Sequence, residues 1–286
     1  MGKLSDTQKI EMIQKHSTGQ YSCDSLARQY NVSGPAIRQM LKRRGIKINN
    51  DRAKLARKYT LNEDYFEKID SEEKAYFLGL LYADGCNQPQ RNTTTIMLQE
   101  RDGHILEKFY KEINCNKPLY FYKKRQKHHQ NYLKVEINSQ KFSLDLEKLG
   151  CVKDKAFIID FPSDYIFSNN KLIRHFVRGY FDGDGCVGIY RNKKNAGKNG
   201  YKNVTCNITS NSLFCFAIKE LLQDININCS IVVANKSEHT RTLVIGGNKQ
   251  AIRFLDWIYK ESNVHLNRKY NKYIEIKSYL KERYGY

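Results

Sequence analysis

The chain is predicted to be α+β, with two αββαββα repeats behind a small all-α helix-turn-helix domain. Three observations carry that prediction. The first fifty residues hold short, well-capped helical patterns with little strand character. From about residue 60 onward the same order of elements can be read twice. In both copies the strands alternate strictly between apolar and polar side chains, as half-buried antiparallel sheets do.

Composition narrows the class of protein. The 286 residues carry 49 Lys+Arg against 30 Asp+Glu, a net charge of +19, with 40% hydrophobic and 12% aromatic residues. A core can therefore be buried, and disorder throughout is excluded. The positive excess calls for a polyanionic partner, nucleic acid before an anionic membrane surface. No apolar run approaches the roughly 20 residues of a membrane span, and no signal-peptide core follows Met1. The eight cysteines form no CxxC pair, which favours reduced thiols over a secreted disulfide scaffold. These features predict a soluble protein, not secreted, in the cytoplasm of a bacterial or phage-infected cell or in an organelle. Its Asn/Lys/Ile-rich usage fits an AT-rich genome.

The domains are expected at 1–47 (helix-turn-helix), 48–70 (basic linker), 71–165 (first repeat) and 166–286 (second repeat). In the first, Ile10 and Ile13 mark a helix starting near Asp6. Ser22 caps a second helix running through Tyr30, with Leu26 and Ala27 inward. Ser33 caps a third, in which Pro35 is tolerated in the first turn and Gly45 stops the helix. Ile37, Met40 and Leu41 form its inward stripe. This pair of helices reads as a DNA-binding helix-turn-helix, placing Arg38, Gln39 and Lys42 toward the major groove and Arg43 and Arg44 near phosphates.

Each repeat opens with an apolar helix ending in an acid and a glycine: Glu73 to Gly85, and Leu172 to Gly185. In the first repeat, strands run to Leu98, a helix covers about Asp102–Ile113, strands cover Leu119–Lys124 and Tyr132–Asn138, and a helix about Gln140–Leu149 follows. In the second, strands Val187–Arg191 and Asn203–Thr209 lead to a helix about Ser212–Gln223. Strands Cys229–Ala234 and Thr242–Ile245 and a helix about Lys249–Tyr259 complete it. The apolar positions of these strands face a core. Their opposite face carries amide, hydroxyl and cationic groups suited to base edges and phosphates. With the loops that join the strands, the candidate DNA contacts are Lys123, Lys124, Arg125, Lys134, Arg191, Lys193, Asn203, Thr205 and Asn207.

Gly79-x-x-x-Ala83 and Gly179-x-x-x-Gly183 put small residues one turn apart, so the two apolar helices can approach closely. Their C-terminal ends then converge, and Asp84 and Asp184 become neighbours. Two carboxylates at the negative ends of two helix dipoles repel, and a divalent cation reverses that sign. Hard oxygen donors suit Mg²⁺, with Mn²⁺ as a substitute. Between two DNA strands such a pair can activate water and stabilise a leaving oxygen in phosphodiester hydrolysis. Other motifs fall short: Asp182-Gly-Asp184-Gly opens like an EF-hand loop, but Cys186 and Lys193 occupy ligand positions. His128-His129 lacks metal-ligand spacing, and no Walker-type loop is present.

Phe77-Leu-Gly-Leu-Leu-Tyr-Ala-Asp-Gly85 and Val177-Arg-Gly-Tyr-Phe-Asp-Gly-Asp-Gly185 resemble the paired motifs of the LAGLIDADG homing endonucleases. The flanking segments Leu149-Gly150-Cys151 and His265 to Tyr270 look similar too, so the likeness spans roughly residues 60–280. It implies a monomeric pseudo-dimer in one chain, its two repeats related by a pseudo-twofold, with saddle-shaped sheets astride double-stranded DNA. It also implies cleavage of both strands with divalent metal. On the matching positions, Asp84 and Asp184 and the carbonyls of Ala83 and Gly183 would hold metal. Lys141, Lys249 and Gln99 are candidates to surround the attacking water. The acid preceding the metal ligand is replaced by Tyr82 in the first motif; Asp182 stands there in the second and reads as a helix-end contact. Two other readings use the same fold: an intron maturase binding RNA, and a transcription regulator whose core is a silent DNA clamp, which the intact aspartates oppose.

Overall fold

The computed structural model describes residues 4–17, 21–46, 48, 58–124, 126, 130–152, 159–191, 202–234 and 239–285. They form two compact units, Met1–Thr60 and Leu61–Tyr286.

The first unit holds helices α1 (Asp6–Ser17), α2 (Cys23–Gln29) and α3 (Gly34–Arg43). The Ser22 and Ser33 hydroxyls accept from the Ser25 and Ala36 amides, so α2 and α3 start where orphan N–H groups find side-chain acceptors. Between them Asn31 takes a left-handed conformation, at φ 51°, that turns the chain tightly. Met12, Cys23, Leu26, Ala27, Ile37 and Leu41 are the small core. Ile10 is 53% exposed, and α1 turns Met12 and His16 inward.

The second unit begins earlier than expected. Residues 61–70, assigned above to a linker, deliver Tyr65, Phe66 and Ile69 into the main core. Phe66 packs edge-on against Phe142, so this segment is part of the packed layer. Repeat one then runs α4 (Glu72–Asp84), β1 (Gly85–Gln88), β2 (Thr93–Gln99), α5 (Gly103–Glu112), β3 (Tyr120–Tyr122), β4 (Tyr132–Asn138) and α6 (Gln140–Lys148). Repeat two runs α7 (Ile173–Asp184), β5 (Gly185–Arg191), β6 (Lys202–Asn211), α8 (Ser212–Asp224), β7 (Ser230–Val233), β8 (Thr240–Gly246) and α9 (Asn248–Tyr259). A further helix, α10 (Asn267–Tyr284), follows the seven elements of the repeat.

The two antiparallel sheets have matching strand orders, β1-β2-β4-β3 and β5-β6-β8-β7. Thr94, Ile96 and Leu98 of β2 pair with Ile137, Val135 and Leu133 of β4 on the face that meets the helices. In the second sheet Val204, Cys206 and Ile208 of β6 are buried, with Cys206 and Ile208 opposite Ile245 and Leu243 of β8. The polar residues between them stand on the opposite face, as period-two alternation requires.

Candidate active site

Helices α4 and α7 pack side by side at the junction of the repeats. A Cβ on Gly79 would collide with the Phe176 carbonyl oxygen, and one on Gly179 with that of Tyr76. Only a glycine lets each backbone come so near. Every residue of α4 from Ala75 to Tyr82 is buried, so the helix has no solvent stripe to present. Each helix passes straight into a strand: Gly85 and Gly185 adopt extended backbone (φ −80° and −83°) rather than the left-handed turn of a glycine cap. Glycine is needed there for room, since a Cβ would lie 2.6 Å from the Leu81 oxygen at residue 85 and 2.5 Å from the Phe181 oxygen at residue 185.

This packing brings the two helix ends together. A Cβ on Gly183 would overlap the Ala83 methyl and stand 2.9 Å from Asp84 Oδ2, so the Asp84 carboxylate rests on the last turn of α7. Burial and the nearby Asp184 carboxylate push the Tyr180 phenol well up, and its hydroxyl donates to Ser210 Oγ at 2.9 Å. The carbonyls of Ala83 and Gly183 belong to the same two turns.

A third charge stands here. Lys269, in the first turn of α10, is buried and donates to the carbonyl oxygens of Phe181 (2.5 Å), Asp182 (2.8 Å) and Gly185 (2.5 Å). Its ammonium thus caps the end of α7, where the dipole is negative. Burial lowers its pKa to about 8, partly opposed by the carboxylates of Asp182 and Asp84. Reading the sequence missed this lysine, although a signal was present. Leu266, Lys269, Tyr273, Ile276 and Leu280 are spaced as one helical stripe, so a lysine sits among residues that must face the core.

Lys141 and Lys249 do not join this cluster, and the register shows why. Gly85 lies opposite Ile96 of β2, whereas the β4–α6 junction lies opposite Thr93, three residues or about 10 Å further along. Gly185 lies opposite Ile208, and the β8–α9 junction opposite Thr205, the same offset. Both lysines stand beyond those junctions. Lys141 is instead bound to Asp64 (3.2 Å), Glu67 (3.0 Å) and Asp145 (2.6 Å), and Lys249 is exposed. Gln99 lies three residues from Ile96 in the other direction, opposite Tyr132.

Among the residues expected at DNA, Asn203, Thr205, Asn207 and Lys134 stand on the polar sheet faces. Asn207 turns its Oδ1 out of solvent with no hydrogen-bond partner. Lys134 is paired with Glu136 at 2.8 Å, so its charge already has a carboxylate partner. Lys123 and Lys124 are exposed next to β3. Gln39 and Lys42 are exposed on α3, but Arg38 is half-buried and bound to Asp24 at 2.6 Å. Arg125, Lys193 and the side chain of Arg191 lie outside the described residues, as does the His128-His129 pair. Tyr120 and Tyr122, which sequence reading left out, share the polar face with Tyr132 and Lys134.

The donor set fits a hard divalent cation. Among the described residues no group of three or more His, Cys, Asp or Glu gathers that could hold a metal ion. Two carboxylates and adjacent carbonyls leave the remaining positions to water or phosphate oxygens, an arrangement Mg²⁺ accepts. All eight cysteines are free thiols, and no described helix is long and apolar enough to cross a membrane.

Comparison with known proteins places this geometry. Residues 171–259 match the family model of the LAGLIDADG-like domain. The chain is 26% identical over 201 residues to the uncharacterized protein MJ0314 of Methanocaldococcus jannaschii, covering 68% of this chain and 70% of that one. The I-LtrWI LAGLIDADG homing endonuclease, solved bound to its target DNA, superposes with a TM-score of 0.50 at 13% identity, over 77% of this chain and 91% of that one. Meganuclease I-SmaMI, solved on uncleaveable DNA, gives a TM-score of 0.50 at 11% identity, over 73% and 90% of the two chains. Residues 171–259, within the second repeat, thus resemble a LAGLIDADG-like domain, and the chain carries the fold of the LAGLIDADG homing endonucleases.

Proposed function

We propose that this protein is a site-specific double-strand DNA endonuclease that acts as a monomer. The observation that carries the reading is the meeting of Asp84 with the Gly183–Asp184 turn, with the buried Lys269 ammonium capping the same helix end. Asp84, Asp184 and the carbonyls of Ala83 and Gly183 hold divalent metal, Mg²⁺ or Mn²⁺. The metal, when bound, supplies the charge that favours attack by water and departure of the 3′ oxygen. The two carboxylates orient that charge between the strands. Lys269 keeps a fixed positive charge beside the helix-end carbonyls, where negative charge on the scissile phosphate develops.

The polar sheet faces straddle the duplex, with Asn203, Thr205 and Asn207 toward base edges and Lys123 and Lys124 toward phosphates. The N-terminal unit is a separate helix-turn-helix module, presenting the exposed Gln39, Lys42 and Arg43 of α3 and Arg44 just after it. Tethered to the core, it lengthens the recognised site and raises affinity through effective concentration. The core's charge and the convergence of its acids favour cutting over silent clamping or RNA binding.

Incubation with a randomised duplex library and Mg²⁺, followed by sequencing of the new ends, tests the proposal. Ends clustered at one sequence are expected, absent with chelator and absent with Asp84→Asn or Asp184→Asn although both variants still bind DNA. Cutting by Asp84→Asn at the wild-type rate would remove the catalytic assignment.

A further inference from the structure

The two helix ends are held by different chemistry. In the second motif the Asp182 carboxylate is fully buried and accepts three hydrogen bonds: from Tyr76 Oη on α4 (2.8 Å), from Tyr259 Oη on α9 (2.5 Å) and from the Leu266 amide (2.7 Å). Leu266 is the N-cap of α10, three positions before Lys269. The grip is therefore reciprocal. A side chain of α7 holds the N-cap residue of α10, while the α10 lysine holds the last carbonyls of α7. An ionised carboxylate is the species that can only accept, which suits three donors converging on it. In the first motif the same place is Tyr82, whose hydroxyl donates to the Leu149 carbonyl at the end of α6 (2.5 Å). Among the described residues, the side chain at this place is thus a phenol bound to a backbone carbonyl where the second motif has a carboxylate.

We infer that Asp182 is a positioning residue: it fixes the entry of α10 and so holds Lys269 at the end of α7, and cleavage of one DNA strand depends on it more than cleavage of the other. The strand-specific half of this inference rests on the nuclease reading; the positional half does not.

Two readouts separate them. Asp182→Asn keeps the shape but turns an NH₂ toward groups that donate. Acetylation of Lys269 by acetic anhydride in the folded protein, followed by mass spectrometry against the exposed Lys249, is expected to rise about tenfold, the scale at which loss of a supporting partner is felt. On DNA that the wild type cuts, Asp182→Asn is expected to accumulate nicked duplex, with the same strand always left intact. Overall loss of structure would slow both strands together. Unchanged protection of Lys269, or equal slowing of the two strands, overturns the inference. If Asp182→Asn fails to fold by circular dichroism, Tyr259→Phe removes one donor to the carboxylate and carries the same two measurements. If the wild type cuts no DNA, the nuclease reading fails while the acetylation result still decides the positional claim.

Discussion

Asp84 and Gly183 are in direct contact across the repeats: the carboxylate of one lies where any side chain on the other would be, 2.9 Å from a Cβ built at residue 183. The absence of a side chain at 183 is therefore part of the acid's position, as the packing at Gly79 and Gly179 is part of the helices' approach. Gly183→Ala is expected to push Asp84 aside and lower the cleavage rate about 100-fold, the usual cost of an ångström-scale misplacement at a reacting centre. Binding of the same duplex without metal should change little. Rates and affinities measured together check this, and an unimpaired rate would mean that Asp84 does not need its place beside α7.

Arg178 joins the halves more deeply. It is 1% exposed and donates to Glu72 Oε1 (2.6 Å), to the carbonyls of Val264 and Ile258 (2.8 Å each) and to His175 Nδ1 (2.7 Å). Glu72 opens α4, so one repeat supplies the anion and the other the cation. Glu72→Ala leaves a buried guanidinium without its counter-charge, and about 3–5 kcal/mol of unfolding free energy should be lost. Urea titration followed by tryptophan fluorescence at Trp257 reads that loss. A change below about 1 kcal/mol would put this pair with weak surface ion pairs.

Much of this architecture was legible in the residue pattern. Strand alternation set the faces of β2, β4, β6 and β8, and the capping serines 22 and 33 fixed where α2 and α3 begin. The matched glycines foretold the close approach of α4 and α7 that sets Asp84 against Gly183. The pattern misled where long-range register decides. Lys141 and Lys249 occupy equivalent places in the two repeats, but equivalence along the chain does not tell how far a strand end lies from a helix end. Lys269 was missed for a different reason: the apolar stripe of α10 marks it as inward-facing, but which helix end it reaches depends on where α10 docks, and periodicity does not record that. Residues 61–70 read as linker because they directly follow a basic run, while Tyr65, Phe66 and Ile69 are too few to form a pattern.

Two histidines make stability depend on pH. Burial, then the Arg178 charge, lowers His175 from 6.5 to about 4, and burial does the same for His265. Between those values the unfolded chain takes up protons that the folded chain refuses, so stability falls as pH drops from 6.5 toward 4. His175→Asn keeps an acceptor for Arg178 without a titrating ring and should flatten part of that slope. Thermal midpoints across the interval check it; an equal slope in the variant would assign the loss to His265 and other groups rather than to His175.

The exposed side of α3 predicts a division of labour if the N-terminal unit reads DNA. Lys42 is exposed, and a lysine that meets only phosphate adds affinity without choosing sequence. Lys42→Ala should weaken all duplexes alike and reduce the slope of log affinity against log salt by about one. Gln39, also exposed and earlier in the helix, can bond an adenine edge in two places, so Gln39→Ala should relax the preference at one base pair by about 1–3 kcal/mol. Arg38 behaves differently from both. Its guanidinium is held 2.6 Å from Asp24, across α2 and α3, so it braces the helix pair rather than projecting from it. Arg38→Ala should therefore leave the salt slope unchanged and lower the stability of this unit by less than about 1 kcal/mol, as for other half-exposed pairs. Filter binding over a salt series with the three variants separates these roles, and a reduced slope for Arg38→Ala would show that the pair opens on DNA.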